Sequence, residues 1–163
     1  FFQENPFSML PNAPLVAYLE EQILGNCPIN RGWLEARYGP QRVAELSPRT
    51  ISCSGTTGGT RDGLLHYLDL MCREIAVAAT RPLPAGWDQG VHNHLVYGEL
   101  RDTVLVPNRT GAVQTLVHQK MFLFDRQGRL LNVDGSICPV LHQIDRCPLF
   151  LGLWGVPHAS VLG

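Results

Sequence analysis

The densest group of chemically reactive side chains lies in residues 87–95, Trp-Asp-Gln-Gly-Val-His-Asn-His-Leu, which hold one carboxylate, two amides and two imidazoles. Val91 and Leu95 are four residues apart, the spacing of one helix face. Proline and glycine flank the segment, so we expect a short helix that is entered from a loop, with Asp88 at or near its N-terminus. The helix dipole and the free N–H groups of the first turn stabilise a carboxylate there. Asp88 is therefore either an N-cap or a functional acid.

A possible metal ligand occurs near the end of the chain, where His142 is followed by Asp145. One imidazole with acids supplied from elsewhere favours Mn²⁺ or Mg²⁺ over a closed zinc site. The alternative is a buried, hydrogen-bonded histidine. His92 and His94 are two residues apart and point in different directions on a helix, which makes them poor joint ligands.

A second chemically suggestive stretch is the run of small residues from Cys53 to Thr60. Small residues in a strand let a backbone or a ligand approach closely. Ser54 lies beside Gly55, but the Gly-x-Ser-x-Gly elbow of hydrolases is absent. Cys53 could act as a thiolate only with a partner histidine. The stretch also lacks the pattern of a phosphate-binding loop. A hydrolase that uses Ser54 or Cys53 is a weak rival.

Composition restricts the possible partners. The 163 residues suit one domain, and 45% of them are hydrophobic, which is enough for a core. Only 17% are charged, against about 25% in average chains, which predicts that much of the surface is covered by further sequence or a partner protein. The net charge of −1 and the scattered arginines argue against nucleic acid. No apolar run is long enough to cross a membrane.

Three further features of the sequence are its first residues, its cysteines and a glycosylation sequon. It begins on two aromatic residues with no methionine, which predicts a start in the middle of a domain. Its five cysteines permit two disulfides and a free thiol, or simply buried thiols. The triplet Asn108-Arg109-Thr110 is a glycosylation sequon, usable only in the secretory pathway.

Periodicity and breaker residues predict an α/β fold in which strands and helices alternate. Residues 15–20 form a strand or a short helix, and Asn30 caps a helix that ends at Gly39-Pro40 before a short helical piece over residues 41–46. Thr60 caps the clearest helix, with an apolar core stripe of Leu64, Leu68, Met71, Ile75 and Ala79. Short strands follow, with a hairpin around residues 125–128.

Four stretches in this order resemble a family of known enzymes: residues 2–7 (Phe-Gln-Glu-Asn-Pro-Phe), 53–60 (Cys-Ser-Gly-Thr-Thr-Gly-Gly-Thr), 88–93 (Asp-Gln-Gly-Val-His-Asn) and 141–146 (Leu-His-Gln-Ile-Asp-Arg). Together they are similar to the nucleotide-diphospho-sugar glycosyltransferases of the GT-A fold. The nearest likeness is to a eukaryotic and algal-type group, with glycogenin-like retaining enzymes more distant. The resemblance covers residues 1 to about 149.

The resemblance implies a metal-dependent transfer of a sugar from a nucleotide-sugar donor to a glycan or protein hydroxyl, in the Golgi or ER lumen. By this likeness Asp88 and Gln89 hold sugar hydroxyls as the catalytic pair, and His142 binds Mn²⁺ or Mg²⁺. The implied donor- and acceptor-binding residues are Ser54, Gly55, Thr56, Asn93 and Asp145. An acid and an amide together can accept and donate the hydrogen bonds that sugar hydroxyls require.

The sequence departs from the family pattern because it contains no Asp-x-Asp, the motif that binds the metal and the diphosphate. The nucleotide-binding half is also absent, and both would lie before Phe1. We therefore expect a partial GT-A fold, a mixed sheet with flanking helices, that forms the acceptor-side portion within residues 1–163. The alternative is a catalytically inactive, GT-A-derived structural or interaction subunit, with a partner protein covering the missing half.

Overall fold

Three helices and seven strands make up an α/β fold in the computed structural model, which describes residues 1–78, 84–147 and 149–150. In chain order the elements are β1 (Leu15–Ile23), α1 (Pro28–Leu46), β2 (Thr50–Gly58), α2 (Arg61–Ala78), α3 (Trp87–Val96), β3 (Thr103–Val106), β4 (Val113–Thr115), β5 (Leu123–Phe124), β6 (Leu130–Leu131) and β7 (Val140–His142). The predicted α/β class is confirmed.

The central sheet has the order β2-β1-β3, with β1 antiparallel to β2 and parallel to β3, so it is mixed as expected. Alternate residues of β1 point to opposite faces of the sheet. Leu15 and Ala17 pack in the core that α2 and α3 cover, while Val16 and Tyr18 pack against β3 and β4. Because β1 is apolar on both faces, it lies at the centre of the domain.

Two small sheets complete the C-terminal half. β4 and β7 pair in parallel, and β5 and β6 form the predicted hairpin around residues 125–128. The carboxylate of Asp125 fixes this turn by accepting hydrogen bonds from the backbone N–H groups of Gln127 and Arg129. The chain start lies beside β7, where Phe2 bridges to Val140.

Helix α1 is two helices joined at a kink, because Gly39 has φ of 79° and ψ of 174° directly before Pro40. The predicted break at Gly39-Pro40 is thus confirmed. The predicted cap was wrong. The helix begins earlier, at Pro28, and Asn30 lies buried within its first turn, donating from Nδ2 to Sγ of Cys27 over 3.2 Å. A proline is tolerated at the first helical position, where no backbone donor is needed.

Helix α2 begins as predicted, since Oγ1 of Thr60 accepts a hydrogen bond from the N–H of Gly63. The predicted core stripe was wrong in part. Met71 is buried, but Leu68 and Ile75 are 52% and 41% exposed, and Tyr67 is buried instead. The hydroxyl of Tyr67 hydrogen-bonds a buried histidine on α3, so the buried face of α2 includes a polar contact. Ala79 lies outside the described residues.

The structure gives the state of the five cysteines and of the asparagine in the sequon. None of the five cysteines is paired; four are buried and Cys72 is exposed. The amide of Asn108 donates to the carbonyl of Thr115 and to Oε1 of Gln119, so a glycan on this nitrogen would break both contacts. In the part of the chain that the structure describes, no helix is long and apolar enough to cross a membrane.

Candidate active site

A cleft of about 560 Å³ opens where the start of α1, the middle of β2, the start of α3 and the end of β7 meet. Its volume falls in the usual range for small-molecule sites. Six of the residues that the sequence singled out line it: Ser54, Gly55, Asp88, Gln89, His142 and Asp145. Ser54 and Asp145, which are 91 positions apart in the chain, are therefore brought to one surface.

An irregularity in the central sheet shapes the wall of this cleft. Between the Ala17–Thr57 and Leu19–Ser52 pairs, β1 advances by two residues and β2 by five. The additional residues of β2 form a bulge, which bends a strand and redirects its side chains. Ser54 and Gly55 turn into the cleft, whereas Thr56 lines a separate, more apolar groove that shares Gly55. The expected role of Thr56 in donor or acceptor binding stays a prediction.

Two amide side chains on α3 hold the bulged strand in place. Oε1 of Gln89 accepts from the N–H of Ser54 (2.8 Å), and its Nε2 donates to the carbonyl of Ser52 (2.6 Å). One turn later, Oδ1 of Asn93 accepts from the N–H of Ser52 (2.9 Å) and its Nδ2 donates to the carbonyl of Ser52 (3.0 Å). The helix thus supplies hydrogen bonds that a neighbouring strand would otherwise provide.

This amide clamp of Gln89 and Asn93 changes the roles expected for both residues. Asn93 is 1% exposed and does not line the cleft, so the structure places it behind β2, and its expected role in donor or acceptor binding stays a prediction. Both ends of its amide are taken up by backbone. Gln89 reaches the edge of the cleft, yet its amide oxygen and nitrogen also bind β2. It therefore positions Ser54, and the role expected for it at the sugar stays a prediction.

The two histidines of α3 diverge, as their spacing predicted. His92 is fully buried between the hydroxyls of Ser52 and Tyr67, at 2.9 and 2.8 Å from its two ring nitrogens. Burial lowers the pKa of His92 to about 4, so the ring is neutral near pH 7. His94 lies on another side of the helix, stacked on Tyr38 with its ring centroid 3.8 Å away.

Asp88 lies in the first turn of α3, at the exposed entrance of the cleft. The N-cap is Gly86, whose φ of 86° suits a glycine, so Asp88 is not the cap. Within the described residues its carboxylate makes no hydrogen bond or ion pair. The carboxylate is consequently available to a ligand while it still gains from the helix dipole.

His142 lies at the end of β7 against the bulge. A Cβ built on Gly55 would come within 3.0 Å of both Cε1 and Nε2 of this ring, so a larger residue at position 55 would require the imidazole to shift. Burial and then the positive charges of Arg146 and the chain N-terminus lower the pKa of His142, against the opposing charge of Asp145. The small residues of β2 were predicted to let a backbone or a ligand approach closely. The group that approaches Gly55 is instead the side chain of His142.

The residues present fit a metal only in part. His142 and Asp145 both line the cleft, but nowhere in residues 1–78, 84–147 or 149–150 do three or more His, Cys, Asp or Glu side chains form a group that could hold a metal ion. A divalent cation bound at His142 would need further oxygen ligands, such as those of a diphosphate.

Sequence reasoning missed three acceptors in this cleft. Oε2 of Glu20, Oδ1 of Asn30 and Oε1 of Gln143 are buried, have no hydrogen-bond partner within the described residues, and belong to side chains of its lining. The indole of Trp33 lines the same cleft. The sequence does contain an indication that Glu20 is buried. It follows Val16 and Tyr18 at alternate positions of β1, so its side chain lies on the same inward face.

The covalent rival loses its chemical basis in this geometry. Cys53 is buried, and burial raises the pKa of its thiol, so the thiolate is disfavoured. The buried histidine of α3 contacts the hydroxyl of Ser52 rather than that of Ser54. Ser52 itself is fully buried and out of reach of a substrate.

Comparisons of the chain with known protein families, with curated proteins and with solved structures found no match.

Proposed function

We propose that this chain forms the acceptor-side portion of a metal-dependent glycosyltransferase of the GT-A fold, which transfers a sugar from a nucleotide-sugar donor to a hydroxyl of a glycan or protein. The observation that carries the proposal is the set of unpartnered acceptors in one cleft. The side chains of Glu20, Asn30 and Gln143 line it, and each has a buried oxygen with no hydrogen-bond partner within the described residues; Asp88 adds an exposed carboxylate at the entrance that makes no hydrogen bond or ion pair within those residues.

Such a lining suits a ligand rich in hydrogen-bond donors. A buried oxygen that lacks a partner costs about 1–3 kcal/mol, and sugar hydroxyls would satisfy several at once. The flat, apolar face of an indole packs well on the C–H face of a sugar ring, and Trp33 supplies one at this cleft. The cleft volume of about 560 Å³ accommodates a sugar unit with room for a second group.

Positive charge lies near the other side of the cleft. Arg146 lines it close to His142, and this side suits the diphosphate of a donor. A bound Mn²⁺ or Mg²⁺ would neutralise the negative charge of the departing diphosphate. In this proposal His142 holds the ion together with oxygen ligands of the substrate, and Asp145 supplies a carboxylate beside it. Ser54 and Gly55 border the sugar. The Golgi or ER lumen remains a prediction of the sequence resemblance.

The test is a screen of nucleotide sugars with the protein in the presence of Mn²⁺. Saturation-transfer NMR would detect which sugar protons contact the protein, and mass spectrometry would detect transfer to sugar or peptide acceptors. We expect one donor class to bind and to be turned over, with EDTA abolishing the turnover. If no nucleotide sugar binds with or without metal, the proposal fails.

One observation favours the second candidate, an inactive interaction subunit. Helix α2 exposes Leu65, Leu68 and Ile75, which are 52%, 52% and 41% accessible and recur on one side of the helix. An apolar stripe of this kind is typical of a surface covered by another protein segment. Under this candidate Leu68→Glu would abolish complex formation in sedimentation experiments, and the cleft would bind no nucleotide sugar.

A further inference from the structure

A second, apolar groove adjoins the cleft. It has a volume of about 290 Å³ and shares Gly55 with the cleft. None of the twelve described residues that line it is charged. Most of its side chains are aliphatic or aromatic, among them Phe2, Phe7, Leu10, Tyr18, Val113 and Val140. A ligand that borders Gly55 in the polar cleft can therefore continue into an apolar site.

Two exposed aromatic rings border this groove on a backbone that the fold holds in place. Phe2 and Phe7 are 71% and 77% exposed. Between them, Gln3 donates from Nε2 to the carbonyl of Leu130 (3.0 Å) and accepts at Oε1 from the N–H of the same residue (2.9 Å). Oδ1 of Asn5 accepts from the N–H of Phe7 and caps the turn that presents this ring. Exposed apolar side chains on a fixed backbone are typical of a binding groove, because a ligand covers them without first ordering the chain.

We propose that the apolar groove binds an alkyl chain attached to the sugar acceptor. The acceptor is then a glycolipid-type molecule, whose sugar lies in the cleft and whose chain passes Gly55 into the groove. This inference rests on the proposed function and deepens it, because it names the class of acceptor. It also gives the two cavities separate tasks, since the cleft binds hydroxyl groups and the groove binds the part of the acceptor that has none.

The path from the cleft to the groove follows strand β2. Ser54 and Gly55 line the cleft, and Gly55, Thr56 and Gly58 line the groove. At about 3.3 Å per residue, the strand from Gly55 to Gly58 is up to about 10 Å long, which is enough for a chain of several methylenes. A Cβ on Gly58 would come within 2.5 Å of Cδ1 of Leu10, so the absence of a side chain there lets Leu10 lie against the strand as a wall of the groove.

The lining favours an alkyl chain over a segment of peptide. A peptide carries backbone N–H and C=O groups, which cost free energy when they are buried without partners. The only polar side-chain groups among the described lining residues are the hydroxyls of Tyr18, Thr56 and Thr57, and Tyr18 is itself buried. An alkyl chain needs no hydrogen bonds and gains free energy from each methylene that leaves water.

The experiment measures how affinity depends on chain length. Calorimetry compares methyl, butyl, hexyl and octyl β-glucoside, each below its micelle concentration, on the wild-type protein without nucleotide sugar. All four probes carry the same sugar, so a trend reports the chain alone. We expect the affinity to rise by about threefold for each added methylene until the groove is filled. Transferred NMR signals should connect the protons of the octyl chain to the rings of Phe2 and Phe7.

A matched pair of variants locates the chain in the groove. Phe7→Ser removes an exposed ring of the groove, so it should lower the affinity for octyl glucoside by about tenfold and leave that for methyl glucoside unchanged. Val133→Ser is the control, because Val133 is 55% exposed and lines neither cavity. It should bind both probes as the wild type does. Because both side chains are largely exposed, both variants should fold, and melting temperatures verify this.

The outcomes distinguish this inference from the function on which it rests. Affinity that rises with chain length in the wild type, and loses this rise in Phe7→Ser, supports an alkyl-chain site. Equal affinity for methyl and octyl glucoside, no binding of any probe, or an octyl affinity that Phe7→Ser leaves unchanged overturns the inference, while the donor screen still decides the glycosyltransferase function. A wild-type dimer in sedimentation that Phe7→Ser dissociates also overturns it, because a second copy of the chain then covers the groove. Chain-length dependence in a protein that binds no nucleotide sugar keeps the alkyl-chain site and overturns the transferase function, and with it the role of the bound molecule as an acceptor.

Discussion

The imidazole of His142 lies so close to Gly55 that a methyl group on the glycine would come within 3.0 Å of two ring atoms. One is the C-terminal residue of β7 and the other belongs to the bulge of β2, so this contact joins the two halves of the cleft. The position of the candidate metal ligand therefore depends on the absence of a side chain 87 residues earlier in the chain.

Gly55→Ala should consequently displace His142 while the fold is retained. Real Cβ atoms rarely approach other atoms this closely, so the ring must rotate away by a few tenths of an ångström or more. We expect the affinity for Mn²⁺ to fall by about tenfold, which is about 1.4 kcal/mol, and the His142 ring signals to shift in NMR spectra. Gly32→Ala is the control, because that site on α1 has no neighbour within 4 Å. Equal metal affinity in both variants would contradict this assignment of His142.

Asp88→Asn tests the free carboxylate at the cleft entrance. We expect at least about a tenfold loss of sugar affinity or transfer, because a hydrogen bond to a charged group contributes about 1.5–3 kcal/mol. The free energy of unfolding should change by only about 0.3–1 kcal/mol, from the lost helix-dipole interaction. Asp62→Asn is the matched control, since Asp62 is also an exposed acid in the first turn of a helix. If Asp88→Asn unfolds the domain, Asp88 is a structural acid.

The sequence predicted the elements better than it predicted which of their faces are buried. Strand β2, the break at Gly39-Pro40 and the hairpin at residues 125–128 follow from local patterns, and all three occur. The apolar stripe of α2 was placed wrongly in part, because the buried face of that helix includes Tyr67, whose hydroxyl hydrogen-bonds His92, 25 residues later in the chain. Local periodicity contains no information about such a partner.

The candidate site shows the same limit. The resemblance to GT-A glycosyltransferases implied that Asp88 and His142 share one site, and both line the cleft, but it could not reveal that Asn93 turns inward to bind the backbone of Ser52. Residues one turn apart on a helix look alike in sequence, and only the neighbouring strand decides which one faces ligand. Glu20 escaped notice because a carboxylate at the end of a strand usually lies in solvent.

The amide clamp of Gln89 and Asn93 should contribute to the free energy of unfolding. Asn93→Ala leaves the N–H and the carbonyl of Ser52 buried with fewer partners, which should lower the free energy of unfolding by about 1–3 kcal/mol. Gln127→Ala, at an exposed turn position, should change it by less than about 0.5 kcal/mol. Urea unfolding followed by circular dichroism measures both. A neutral Asn93→Ala variant would mean that the strand is held without this side chain.

Two buried groups, Glu20 and His92, should change the free energy of unfolding in opposite directions as the pH rises. Folding raises the pKa of Glu20 from an ordinary 4.5 to about 7 through burial, so its contribution to stability is greatest below pH 4.5 and is lost as the pH rises to about 7. Folding lowers the pKa of His92 from 6.5 to about 4, also through burial, so its contribution is present above pH 6.5 and is lost as the pH falls to about 4. At about 1.4 kcal/mol per pH unit, each effect amounts to about 3 kcal/mol.

These two effects have opposite signs between about pH 4.5 and 6.5, so they oppose each other in the wild-type protein. Glu20→Gln removes one of them. In that variant the free energy of unfolding should rise by up to about 3 kcal/mol from pH 4 to 6.5, and above pH 7 it should exceed the wild-type value by a similar amount. Urea midpoints at pH 4.5, 5.5, 6.5 and 8 measure this, with Glu21→Gln expected to follow the wild type. A Glu20→Gln variant that is less stable than wild type at pH 8 would show that the ionised carboxylate is paired in the fold, contrary to this prediction.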